Sequence, residues 1–192
     1  MNHLKLSTLV LLACASLSAH SAPPDTFDSL VDKQGNISLP NNFRTTWTHL
    51  GSYVVGNTGM SEAETPAVDL HQVYTQPDSI RYYRQHGKFP DGAVLVKTVS
   101  AMQMETMTTG QVHYDAAPKV TFVMVKDRQN RFPDNSAWGE GWGWALFNGD
   151  QPGPSQTTNW KGEGFNNCHG CHLPARDDDW VYTRGYSKVL SP

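Results

Sequence analysis

Two thiols and two imidazoles fall within five residues in Cys168-His169-Gly170-Cys171-His172. Cysteines three positions apart can add to the two vinyl groups on one edge of a porphyrin. A histidine directly after the second cysteine reaches the iron from the same turn, as a neutral imidazole. The spacing therefore predicts one covalent haem c held through Cys168 and Cys171, with His172 as the ligand to its iron. A structural zinc site needs four ligands, usually from a second Cys/His pair, and the sequence has no such pair. A dithiol redox motif belongs after a strand near the start of a βαβ unit. This one lies about 20 residues from the C-terminus, behind a Gly/Asn run. His169, between the thiols, is expected to point outward. No sixth ligand stands out: Met60, Met102, Met104, Met107 and Met124 are all available, and each suits core packing or a loop equally well.

The elements that must carry this motif read as β-rich. Segments 46–55, 68–75, 92–101, 111–114, 119–126 and 141–147 are rich in β-branched and aromatic residues between Gly, Pro and Asn punctuation. One helix is predicted over 77–86, with Asp78 and Ser79 at its start and Gly87 as its stop. A second, short helix should carry the haem motif over 164–172. The fold class is mainly β (α+β): an antiparallel sheet with helices packed on one face and a C-terminal haem-attachment helix. The run Asp177-Asp178-Asp179 reads as a solvated turn. In 141–147, Trp142, Trp144 and Leu146 share one face, while Gly143 and Ala145 leave the other flat for something planar or another strand. That face suits a sheet core with a dimer contact, or a wall of the haem pocket.

Composition agrees with one domain around a large apolar group. Of 192 residues 17% are charged, below the roughly 25% of an ordinary soluble domain, yet six Trp and seven Tyr are present. A formal charge of −3 gives no electrostatic reason to expect nucleic acid as a partner. Residues 1–22 read as a signal peptide, with Lys5, a short apolar run from Leu6 to Ala13, and small residues to Ala22. Residues 23–192 then form a single haem domain, exported to the periplasm. Cys14 has two readings: loss with the signal, or lipidation as the cysteine of a lipobox, Leu11-Leu12-Ala13-Cys14. Either leaves Cys168 and Cys171 for haem and none for a structural disulfide.

One charge stands out. In 93–99 the alternation places Lys97 with Ala93, Leu95 and Val99, and the opposite face, Val94 and Val96, is apolar too. A lysine there is costly unless its amine snorkels to water or is chemically used. A desolvated lysine loses its proton more easily and becomes a nucleophile. Beside a porphyrin edge it can bond to the ring.

The chain resembles the cytochrome P460 family, which includes the beta-type cytochromes c-prime. The resemblance runs from Leu39-Pro-Asn-Asn-Phe-Arg44 to Trp180-Val-Tyr-Thr-Arg-Gly-Tyr186. It is carried by His71-Gln-Val-Tyr74, Gly87-Lys-Phe-Pro-Asp-Gly92 leading to Val96-Lys97, Val125-Lys126-Asp127, and the C-terminal C-x-x-C-H. It implies a mostly antiparallel β fold, a homodimer, and a five-coordinate haem with His172 proximal. In the P460 enzymes a lysine crosslinks to the porphyrin, and Lys97 matches its position. Those enzymes oxidise hydroxylamine through NO-level intermediates, whereas the c-prime members bind NO and CO in an apolar pocket without the crosslink. Two departures matter. Phe122 stands where the best-known pattern has a distal carboxylate, and His71 where it has a distal arginine. Hydroxylamine oxidation must shed protons as well as electrons. Phe122 cannot accept them, and His71 can. The resemblance implies Lys97 and His71 as catalytic residues and Phe122 as a haem contact, with a soluble cytochrome as redox partner. The alternatives are an NO- or CO-binding protein without turnover, capped by Phe122, and an electron carrier with His71 or a methionine as sixth ligand.

Overall fold

The computed structural model describes residues 27–56 and 67–191; residues 1–22, with Cys14, and Met60 lie outside them. Six strands make one antiparallel sheet: β1 (Thr48–Gly56), β2 (Ala67–Thr75), β3 (Val94–Met107), β4 (Gly110–Lys126), β5 (Trp138–Gly139) and β6 (Trp142–Asn148). Their order is β1-β2-β3-β4-β6-β5, so each new strand adds beside its predecessor until β5, which folds back outside β6. The sheet is mainly antiparallel β as expected, and both of its faces are covered.

The first face carries Val73, Leu95, Met124, Trp142 and Trp144 under the C-terminal third of the chain. Helix α3 (Pro77–His86) packs there too, through Ile80 and Tyr83. Its limits match the sequence reading. Pro77 opens the helix, Asp78 lies in the first turn, and Gly87 at φ 65° ends it by donating its N–H to the Tyr83 carbonyl. The second face carries Tyr74, Val94, Val96, Val123 and Val125. It is covered by the N-terminal segment with α1 (Phe27–Leu30) and α2 (Phe43–Thr46), through Leu30, Ile37 and Phe43. Burial on both faces explains why 93–99 and 120–125 read as nearly unbroken apolar runs.

Two of the expected strands are one. Segments 111–114 and 119–126 are continuous in β4, and β3 extends with it into a long hairpin tipped by Thr108 and Thr109. Asp115 and Pro118 mimic a break, but the register shifts around Ser100, opposite Pro118, absorb the missing donor as a bulge.

The flat face of β6 is filled from within the chain. A Cβ on Gly143 would sit 2.6 Å from the indole of Trp138, whose Nε1 donates to the Gly35 carbonyl at 2.8 Å. Gly143→Ala is expected to destabilise the protein by about 1–3 kcal/mol through overpacking. A lowered urea midpoint with an unchanged denaturant slope would show this; an unchanged midpoint would show that Trp138 can move aside.

Candidate haem site

The haem motif forms α4 (Cys168–His172), after a 3₁₀ turn at Gly164–Asn166. Asn167 caps α4 by accepting from the Gly170 N–H at 2.9 Å. A side chain at 170 would collide with that cap, since a Cβ there would lie 2.6 Å from the Asn167 amide. Gly170 is therefore needed between the two thiols for the helix to close over its own cap. Cys168 is buried, Cys171 exposed, and the two form no disulfide. His169 does not point outward. It is half-buried, its ring centroid 5.0 Å from that of Trp160 and 5.7 Å from that of Trp180; the indoles that shield α4 occupy the side sequence reasoning left to solvent.

His172 is fixed through one nitrogen. Its Nδ1 lies 2.7 Å from the Trp180 carbonyl. A carbonyl only accepts, so Nδ1 carries the proton and Nε2 keeps its lone pair. Burial lowers its pKa to about 4, outweighing that hydrogen bond, and the ring stays neutral. Trp144 packs edge-on against it at 5.0 Å. The Trp180 carbonyl is presented by a turn in which Asp179 and Trp180 both adopt left-handed backbone, at φ 59° and 65°. Each such non-glycine residue costs about 1–2 kcal/mol. Asp179 is not part of a solvated acidic run either. Asp177 and Asp178 are exposed, but Asp179 turns inward and pairs with the buried Lys126 at 2.5 Å.

Between α4 and the first face of the sheet lies a cavity of about 710 Å³, within the range of cofactor pockets. His71, Lys97, Phe122, Cys168, Cys171 and His172 all line it. The register explains how. Lys97 pairs with Val73 on one side and Phe122 on the other, and His71 pairs with Val99. Side chains two apart on a strand share a face, so His71 and Lys97 are neighbours above the same space. Lys97 Nζ stands 4.4 Å from the Phe122 ring centroid. Burial lowers its pKa, opposed in part by Cys171 and Cys168. There is no wet sheet edge for it to reach, because β3 is a central strand. The remaining walls are mostly apolar, including Val73, Leu95 and Val99.

These residues fit a haem. A mostly apolar cavity is lined by two thiols three positions apart in sequence, and by a neutral imidazole with an unprotonated nitrogen. Of the methionines, Met124 lines the cavity, whereas Met102, Met104 and Met107 stand on the β3–β4 hairpin outside it.

Sequence reasoning missed several wall residues. Tyr53 donates to the Tyr182 carbonyl at 3.0 Å, and Tyr182 to the Cys171 carbonyl at 2.5 Å, which ties β1 to α4. Phe165 is exposed and also lines the cavity, its ring 6.4 Å from that of Phe122. Asp69 also lines the cavity and is paired to Lys119 at 2.5 Å. Only the aromatic spacing of Trp180, Tyr182 and Tyr186 signalled any of this.

His71 is lowered to about 4, first by burial and then by the nearby Lys97 charge, against a smaller pull from Asp69. A folded-state value below the unfolded one means that the unfolded chain binds the extra proton. Stability is then fully present above about pH 6.5 and lost as pH falls towards 4. His71→Gln should flatten that part of the curve. Urea unfolding at stepped pH reads it, and a slope unchanged by the substitution would count against the assignment.

The family model described as Cytochrome P460 matches residues 40–183, from the segment before α2 through the turn that follows Trp180. No curated protein matches the chain.

Proposed function

This chain belongs to the cytochrome P460 family of haem cytochromes, and from that premise we propose that it oxidises hydroxylamine at a lysine-modified c-type haem. The observation that carries the reading is the placement of Lys97, with Phe122 beside it, in the cavity lined by Cys168, Cys171 and His172. Cys168 and Cys171 would hold the porphyrin as thioethers, and His172 Nε2 would bind the iron. A haem held by these residues would supply the one-electron chemistry. Lys97 would supply the amine that bonds to the porphyrin edge. Val73, Leu95 and Val99 keep water from the ring. His71 accepts the protons that hydroxylamine sheds. Bonding Lys97 to the ring removes its charge, and with it one cause of the low His71 pKa, so the crosslink also makes His71 a better base. In this reading the protein is exported to the periplasm, works as a homodimer and delivers electrons to a soluble cytochrome.

A second reading is favoured by Phe122 and Phe165, two aromatic rings 6.4 Å apart in the cavity lining: the site retains NO or CO without turnover. The ferrous spectrum of the denatured protein separates the two. A Soret band shifted to the red of ordinary haem c, together with turnover of hydroxylamine by an artificial oxidant, is the expected result. An ordinary haem c spectrum with gas binding and no turnover would favour the second reading.

A further inference from the structure

Lys126 is a buried lysine that the haem chemistry above does not use. It ends β4 opposite Trp142, with Nζ 4.6 Å from the Trp142 ring centroid and 2.5 Å from Asp179 Oδ1. Its side chain is 9% exposed. A charge so placed is costly unless its partner holds it. The partner sits in an unusual place. Asp179 is the first of the two consecutive left-handed residues, and its own carbonyl accepts from Trp142 Nε1 at 3.0 Å. Its Oδ2 is buried and finds no hydrogen-bond partner among the described residues, so Lys126 answers the carboxylate through Oδ1. The next residue is Trp180, whose N–H donates to the Ala175 carbonyl and whose carbonyl accepts from His172 Nδ1. A continuous chain of contacts therefore runs from Lys126 through the Asp179–Trp180 turn to His172. Without an anchor, a turn of two left-handed non-glycine residues relaxes, and the carbonyl that orients the imidazole moves with it.

We propose that Lys126 is a positioning residue for His172: with Asp179 and Trp142 it locks the turn whose carbonyl fixes the tautomer and electron richness of that imidazole. The proposal rests on His172 being the ligand to the iron. A histidine that donates its second N–H to a carbonyl is a stronger electron donor to its metal, and stronger donation favours the oxidised iron. Releasing the turn should then weaken donation and raise the reduction potential.

The test uses the haem-loaded protein and reads the iron–histidine stretching band of the ferrous form together with the midpoint potential. Lys126→Met should move the band to lower frequency. It should also shift the one-electron equilibrium towards the reduced form by about tenfold, or about 59 mV upward. Lys126→Arg, which keeps the charge, should restore most of both. Should Lys126→Met lose the fold, the double variant Lys126→Met with Asp179→Leu carries the test. It leaves no buried charge alone and should show the same two shifts. A band and potential equal to those of the unmodified protein in either folded variant would overturn the proposal. His172→Gly distinguishes that outcome from failure of the underlying reading. A stretching band that survives His172→Gly removes His172 as the ligand; a band lost there but unmoved by the Lys126 variants removes only the positioning role.

Discussion

Replacing Cys168 and Cys171 together by serine is expected to remove both thioether bonds, leaving the Lys97 bond as the one tie that can keep haem with the chain on a denaturing gel. Thioethers form only through sulfur, and among the described residues these are the two cysteines. Serine keeps the size and the α4 backbone, so the sheet and its cavity should survive. Their environments differ, which makes the single variants informative. Burial lifts the Cys168 thiol to about 11, whereas Cys171 lies at the surface. Each single variant should retain haem through the remaining bond, with the pyridine haemochrome band moved as expected for one unreacted vinyl group. A double variant that still carries covalent haem would mean that Lys97 alone can hold the ring, and adding Lys97→Ala should then release it. Haem unaffected by all three substitutions would remove the attachment assigned here.

The second large effect belongs to Lys97. Lys97→Ala keeps both thiols and His172, so covalent haem should remain. The denatured spectrum should become that of ordinary haem c, and hydroxylamine turnover should fall by at least about a hundredfold, the usual size for losing a group that tunes a reacting centre. Lys97→Arg is the discriminating companion. It keeps a cation above Phe122, where Nζ now sits 4.4 Å from the ring, but a guanidinium cannot take the place of the amine. If a nearby positive charge were all the site needed, arginine would restore turnover. The expected result is that it does not. Full activity in Lys97→Ala would remove the crosslink from the chemistry and leave an enzyme that oxidises hydroxylamine at an ordinary haem c.

How much of this was legible in the sequence follows from how local each signal is. The C-x-x-C-H motif lies within five residues, so its reading needed no knowledge of the fold, and the structure places Cys168, Cys171 and His172 on one cavity. Helix α3 was legible to the residue because Pro77 and Gly87 act on the backbone on the spot. The convergence of His71, Lys97 and Phe122 was legible only in part. Alternation put Lys97 on a buried face, but that His71 and Phe122 share it depends on the register of β2 and β4 against β3. Asp179 was misread because a run of three acids looks solvated, and its pairing with Lys126 spans 53 positions. The covering of the second face by Leu30, Ile37 and Phe43 left no periodic signal, because that segment is mostly irregular and buries its side chains one at a time.

The strand order has a kinetic consequence. From β1 to β4 every strand pairs with the one made just before it, so these contacts close short loops and can form early. The wall that carries Cys168, Cys171 and His172 comes from the last part of the chain and docks on strands far away in sequence. In a chain that folds as it emerges, the sheet is assembled while the two thiols are still free in an unfolded tail. Closure of the cavity is then a late event, made by the same segment that carries the C-x-x-C-H motif.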